Sequence, residues 1–155
     1  MCNFNKMLKV ADSQYKTGKP FFNFVMTTSN HRPFTYTSGK IDIPSGTSRE
    51  GAVKYTDFAL KELFRKAQTK PWFKNTVFVI IADHCASSAG KDEIDVANYH
   101  IPAFIVNLPE NQNQKIAQQC SQIDLWPTLF SLFHWNYESD FFGKNVLDSQ
   151  FVQRA

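Results

Sequence analysis

The sequence predicts an α/β fold in which a mainly parallel sheet is sandwiched by helices, and three features carry that prediction. The run from Val77 to Ala82 is apolar with no polar alternation, as in a strand covered on both faces. A second run, Phe21 to Thr28, is rich in aromatic and β-branched residues and is bounded by Pro20 and the Ser29-Asn-His-Arg-Pro33 turn. Between them lies a segment with apolar residues at helical spacing, so strand, long crossover and strand form a parallel, right-handed unit.

The elements follow in chain order. Residues 3 to 17 read as an amphipathic helix with Phe4, Met7, Leu8 and Ala11 on one face, ended near Gly18-Lys-Pro20. After the strand at 21–28, Pro33 to Ser48 is a long aperiodic segment, a candidate wall for a substrate. Thr47-Ser-Arg-Glu50 has the pattern of a capping box, opening a helix that runs to about Thr69 with Val53, Thr56, Leu60, Leu63, Phe64 and Ala67 on its apolar stripe. Pro71 ends it. Lys91 to Asn98 is a polar loop, Tyr99 to Asn107 a third buried strand, and Lys115 to Gln122 a short edge strand. Asp124-Leu-Trp-Pro127 reads as an N-cap with Pro in the first turn, after which Leu125, Leu129, Leu132 and Phe133 face the core. The last eight residues read as loose.

Composition narrows the function classes. A chain of 155 residues, 43% hydrophobic and 20% charged, fits one globular domain. Its net charge of +3 is scattered, which argues against a nucleic-acid partner. The longest apolar runs are too short to span a bilayer, and the first residues lack the apolar segment of a signal peptide. Cys2, Cys85 and Cys120 are odd in number and have no C-x-x-C spacing, so neither a disulfide framework nor a thiolate zinc site is indicated.

The chemistry concentrates where the central strand stops. Asp83 and His84 follow its carboxyl end, the edge at which ligands bind in open α/β sheets. A carboxylate oxygen beside an imidazole nitrogen suits Zn²⁺ or Mn²⁺, and two consecutive side chains can reach one ion only where the backbone turns. The same dipeptide also suits an Asp capping a turn and a His satisfied by a backbone carbonyl. His31 has the same address beyond the strand at 21–28, and a loop His is often simply solvated. His100, at the start of the third strand, either folds back over the site or is bonded to the backbone.

As a set, several stretches resemble the sulfatase-like branch of the alkaline phosphatase superfamily, and within it the lipoteichoic acid synthase and phosphoglycerol transferase group. They are Phe21 to Pro33, Ile41-Asp-Ile-Pro-Ser-Gly46, Arg49-Glu-Gly-Ala-Val-Lys-Tyr-Thr-Asp57, the Asp83-His84 stretch, Tyr99-His-Ile-Pro102 and Gln122-Ile-Asp-Leu-Trp-Pro-Thr-Leu129. The resemblance implies an alkaline phosphatase-like three-layer sandwich, with residues 1–155 as the C-terminal portion of the catalytic domain. It implies an enzyme acting on phosphate or sulfate esters with one divalent cation, Mn²⁺, Mg²⁺ or Zn²⁺. Asp83 and His84 match the metal-binding pair, His31 a substrate-contacting His able to protonate a leaving group, and His100 a nearby His of variable role. The Glu ligand and Thr nucleophile of such enzymes are expected upstream of this chain, and no cysteine stands in a C-x-P-x-R motif. The expectations are therefore weak metal binding, no turnover by this chain alone, a membrane-anchored parent with its domain on the extracytoplasmic face, and a homodimer through an exposed sheet edge. The competing reading is a non-catalytic anion- or ligand-binding domain that keeps the fold.

Overall fold

The computed structural model describes residues 2–86, 96–108 and 114–153. It divides into two compact units, Met1–Asn111 and Gln112–Ala155.

In the first unit, helix α1 (Cys2–Tyr15) and helix α2 (Arg49–Ala67) pack on each other through apolar stripes. Leu8 and Ala11 of α1 meet Leu63 and Ala67 of α2 around buried Trp72, with Phe4, Met7, Phe21, Leu60, Phe73 and Phe78 packed on the outside. Burying each large apolar side chain stabilises by roughly 1.5–3 kcal/mol, so this cluster is the main cohesive element of the unit. A polar latch adds direction: Asp12 accepts from the Trp72 indole at 2.8 Å and from Lys70 at 2.6 Å. Both donors hold the Asp12 carboxyl below the usual carboxylate range, the Lys70 hydrogen bond most of all.

The buried face of α2 is Ala52, Tyr55, Ala59, Leu63 and Ala67, whereas Val53 is exposed. The stripe thus starts one residue earlier than its apolar spelling implies, and Tyr55 is covered by Tyr36 and Thr37 of the 33–48 segment. The helix N-cap is Ser48, whose hydroxyl accepts from the Gly51 amide at 3.1 Å. Thr47, the first residue of the expected capping box, instead donates to the Pro44 carbonyl at 2.7 Å. Gly51 is needed for close approach: a Cβ there would collide with Tyr36 Oη and lie 2.7 Å from Ile43 Cγ2.

Strand β1 (Phe78–Ile81) pairs with strand β2 (Ala103–Val106), with Phe78 opposite Val106 and Ile81 opposite Ala103. The pairing is antiparallel, which corrects the expected parallel arrangement of these strands. Parallel neighbours need a crossover to carry the chain to the far end of the sheet, usually a helix. Between Ala82 and Pro102 the sequence has no such stripe, so the chain returns at the end where it left. β2 is also more exposed than expected, with Phe104 at 59%. β1 is half-buried along its length rather than covered on both faces.

Residues 21–28 are not in a ladder with any described strand. They keep the two-residue period of extended chain: Phe21, Asn23 and Val25 are half-buried, while Phe22, Phe24 and Met26 are exposed. Asn23 donates to Gln14 and Asn3 donates to the Met26 carbonyl, so the segment runs antiparallel along α1. Of the polar loop expected at 91–98, residues 91–95 lie outside the described residues, and Val96–Tyr99 form a 3-10 turn.

The second unit is built on a 3-10 turn, Gln122–Asp124, leading into helix α3 (Leu125–Leu132). Residues 115–121 form no strand, which corrects the expected edge strand. Asp124 does not cap α3 through its side chain. Its buried carboxylate accepts from the Ser121 and Lys144 amides, each at 2.8 Å, completing a capping box with Ser121. Thr128 continues this network, donating to the Asp124 carbonyl and accepting from the Val146 amide.

Candidate active site

The antiparallel register decides what shares an edge. Asp83 and His84 leave β1 beyond Ile81, and His100 precedes β2 at Ala103, at the same end of the hairpin. The Ala82 amide donates to the Pro102 carbonyl at 3.3 Å, fastening the two chains just below these residues. Asp83, His84 and His100 are all exposed.

In the turn after β1, Asp83 Oδ2 lies 3.7 Å from His84 Nε2, and Asp83 Oδ1 accepts from the His84 amide at 3.1 Å. The backbone turn therefore brings two consecutive side chains to one side. His84 Nδ1 is 2.7 Å from the Cys85 carbonyl oxygen. A carbonyl only accepts, so Nδ1 carries the proton, and in the neutral imidazole Nε2 then keeps its lone pair. That is the arrangement in which a His ligates a metal, its other nitrogen oriented by a carbonyl. Two donors about 2.1 Å from one tetrahedral ion stand about 3.4 Å apart, close to the spacing of this pair. The donors thus fit two positions of a divalent cation, and no third His, Cys, Asp or Glu joins them among the described residues.

His31 follows the same rule at a different loop. Its Nδ1 lies 2.8 Å from the Arg32 carbonyl oxygen, which leaves Nε2 directed elsewhere for hydrogen bonding. The His31 amide donates to the Thr28 carbonyl, and the Phe34 amide donates to the His31 carbonyl at 2.7 Å, closing a tight turn. A cleft of about 210 Å³ is lined by Thr27, Thr28, Ser29, Tyr36, Tyr55 and Thr56 among others; the 33–48 segment contributes Thr35, Tyr36 and Thr37 to it, and His31, Asp83 and His84 are not in its lining. Its rim is stiffened by the Tyr36–Tyr55 stack at 4.8 Å and by the Tyr55–Thr37 hydrogen bond.

The Sulfatase family profile matches residues 2–135. This chain belongs to the sulfatase family. Curated relatives include the lipoteichoic acid synthase-like protein YvgJ of Bacillus subtilis, 28% identical over 154 residues, covering 83% of this chain and 25% of the relative. Lipoteichoic acid synthase 2 of Bacillus subtilis is 26% identical over 74% of this chain and 21% of its own length. Lipoteichoic acid synthase of Staphylococcus aureus is 24% identical over 79% of this chain and 22% of its own. A crystal structure of a protein in the alkaline phosphatase superfamily from Vibrio parahaemolyticus superposes with a TM-score of 0.85 and 35% identity over 96% of this chain and 36% of that one. The α/β, alkaline phosphatase-like assignment therefore stands, with the antiparallel β1–β2 pair as part of it. This sulfatase-family chain spans about a quarter of the length of the curated relatives it matches.

One residue of this edge escaped the sequence reading. Arg49 donates from Nη1 to the Ala86 carbonyl at 3.1 Å, and its guanidinium carbon lies 5.6 Å from the Phe34 ring centroid. The available signal was its position: a cation at the first residue of a helix opposes the helix dipole.

Proposed function

We propose that this chain is part of the catalytic domain of a metal-dependent enzyme acting on phosphate or sulfate esters, by hydrolysis or by transfer of a group such as phosphoglycerol. The observation that carries this reading is the Asp83–His84 turn, with its 3.7 Å donor spacing and the Cys85 carbonyl holding the imidazole in the ligating tautomer. Asp83 and His84 are the metal-binding pair. A divalent cation held there would acidify a hydroxyl nucleophile and take up charge on the ester oxygens. His31 contacts the substrate or protonates the leaving oxygen through Nε2, and His100 lines the same edge.

Two protein donors hold an ion weakly, since water or buffer fills the other positions. The ligand and nucleophile that such enzymes also need are supplied from outside these residues, so this chain alone binds Mn²⁺ or Zn²⁺ poorly and turns over nothing. The parent acts on the extracytoplasmic face of a membrane to which it is anchored; among the described residues no helix is long and apolar enough to cross one. The exposed apolar side chains of Phe24 and Met26 favour self-association of two copies, which light scattering would detect as a dimer.

The test pairs calorimetric titration with Mn²⁺ and Zn²⁺ with a chromogenic ester assay, on this chain and on Asp83→Ala. Weak binding abolished by the substitution, with hydrolysis at background in both, is expected. Metal-dependent hydrolysis that disappears in Asp83→Ala would show that the chain carries its own nucleophile. Equal metal binding by the two proteins would remove the metal reading.

A further inference from the structure

Arg49 stands where helix electrostatics disfavour it, and no carboxylate lies within ion-pair distance of it among the described residues. What it does touch are the two turns that carry His31 and the Asp83–His84 pair. Its guanidinium lies over the ring of Phe34, within the range of a cation–π contact. Phe34 has a left-handed backbone conformation, φ +62°; its amide donates a hydrogen bond to the His31 carbonyl, and its carbonyl accepts from the Gly46 amide at 3.1 Å. On its other side Arg49 holds the Ala86 carbonyl, one residue beyond the Cys85 carbonyl that orients His84.

We propose that Arg49 is a positioning residue that keeps the His31 turn and the Asp83–His84 turn in fixed register with each other from the first turn of α2. The inference rests on reading these turns as the two sides of one site. It requires arginine: a planar guanidinium stacks on a ring while donating in its plane, which a lysine ammonium cannot do together. Because the side chain is exposed and outside the α1–α2 cluster, it can be removed without opening that core.

Backbone amide NMR spectra of this chain, Arg49→Gln, Arg49→Lys and Phe34→Leu, each titrated with Zn²⁺ alone, test the proposal. In Arg49→Gln the amides of residues 29–36 and 83–86 should move together while those of α1 and of Ala59–Ala67 stay in place. Arg49→Lys and Phe34→Leu, which each lose the ring contact and keep a donor for the Ala86 carbonyl, should both displace the resonances of 29–36 and leave those of 83–86 nearly in place. Zn²⁺ affinity should fall about tenfold in Arg49→Gln, the loss typical when a residue supporting a metal ligand is removed. In Arg49→Gln, displacement of one turn only, or of neither, would overturn the proposal. So would resonance shifts throughout the helices with a lowered thermal midpoint, which would make Arg49 a general stabilising residue. If the unaltered chain binds no Zn²⁺, the metal reading of Asp83 and His84 fails, while the paired amide shifts still decide the role of Arg49.

Discussion

The α1–α2 cluster and the turns carrying His31 and the Asp83–His84 pair are held by different kinds of interaction. In the cluster, Trp72 is 2% exposed, and the Asp12 hydrogen bonds to Trp72 and Lys70 fix how the helices meet. In the turns the side chains are exposed, and what fixes them is hydrogen bonding to backbone carbonyls and amides: Arg32 and Cys85 carbonyls for the histidines, the His84 amide for Asp83. Cohesion and chemistry are therefore separable. Substitutions in the first region should change stability, and substitutions in the second should change ligand binding.

Trp72→Ala gives the largest expected effect, about 3–5 kcal/mol less stable in urea unfolding, from lost burial and the cavity left behind. A loss under about 1 kcal/mol would deny the cluster its central role. Gly51→Ala comes next. The added methyl must displace the Tyr36 hydroxyl and Ile43, at a cost of about 1–3 kcal/mol as for overpacking in general, and it should also disturb the wall of the cleft. It tests the border between the two regions, where a core helix and a site loop share one contact.

Asp12→Asn should cost about 1 kcal/mol, since the latch is partly solvent-screened and one hydrogen bond can survive. Its pH dependence has a definite sign. The folded pKa of Asp12 lies below its unfolded value of about 3.9, so its contribution is present above that pH and is lost as pH falls through the lower folded value. The difference in stability between the parent chain and Asp12→Asn should accordingly be constant near neutrality and shrink below about pH 4, read from thermal midpoints across pH. The smallest effect on stability is expected for Asp83→Ala, within about 0.5 kcal/mol, as for exposed positions generally. A large destabilisation there would break the division between cohesion and chemistry.

The helices were legible in the sequence because their signals are local. The spacing of Phe4, Met7, Leu8 and Ala11 and the Ser48–Glu50 start sequence suffice to place α1 and α2 to within a few residues. Strand existence at 78–81 and 103–106 was legible too, but strand direction was not. An apolar run states how deeply a strand can be buried, and Val77 to Ala82 carries no information about which neighbour pairs with it or in which sense. Phe21 to Thr28 shows the same limit, with extended periodicity and no described partner. Of the candidate site residues, Asp83, His84, His31 and His100 were visible as chemical types at strand ends. That Arg49 bridges two of their turns was not visible, because the contact spans residues 34, 49 and 86 and depends on tertiary geometry alone.

The register of β1 and β2 also has an evolutionary consequence. With Ile81 opposite Ala103 and the Ala82 amide bonded to the Pro102 carbonyl, the intervening chain is a closed loop with both feet clamped. Each doubling of such a loop adds only about 0.6 kcal/mol of closure entropy. Lengthening, shortening or exchanging it thus leaves His84 at one foot and His100 near the other, so selection can rewrite the sequence between them without rebuilding the strand pair.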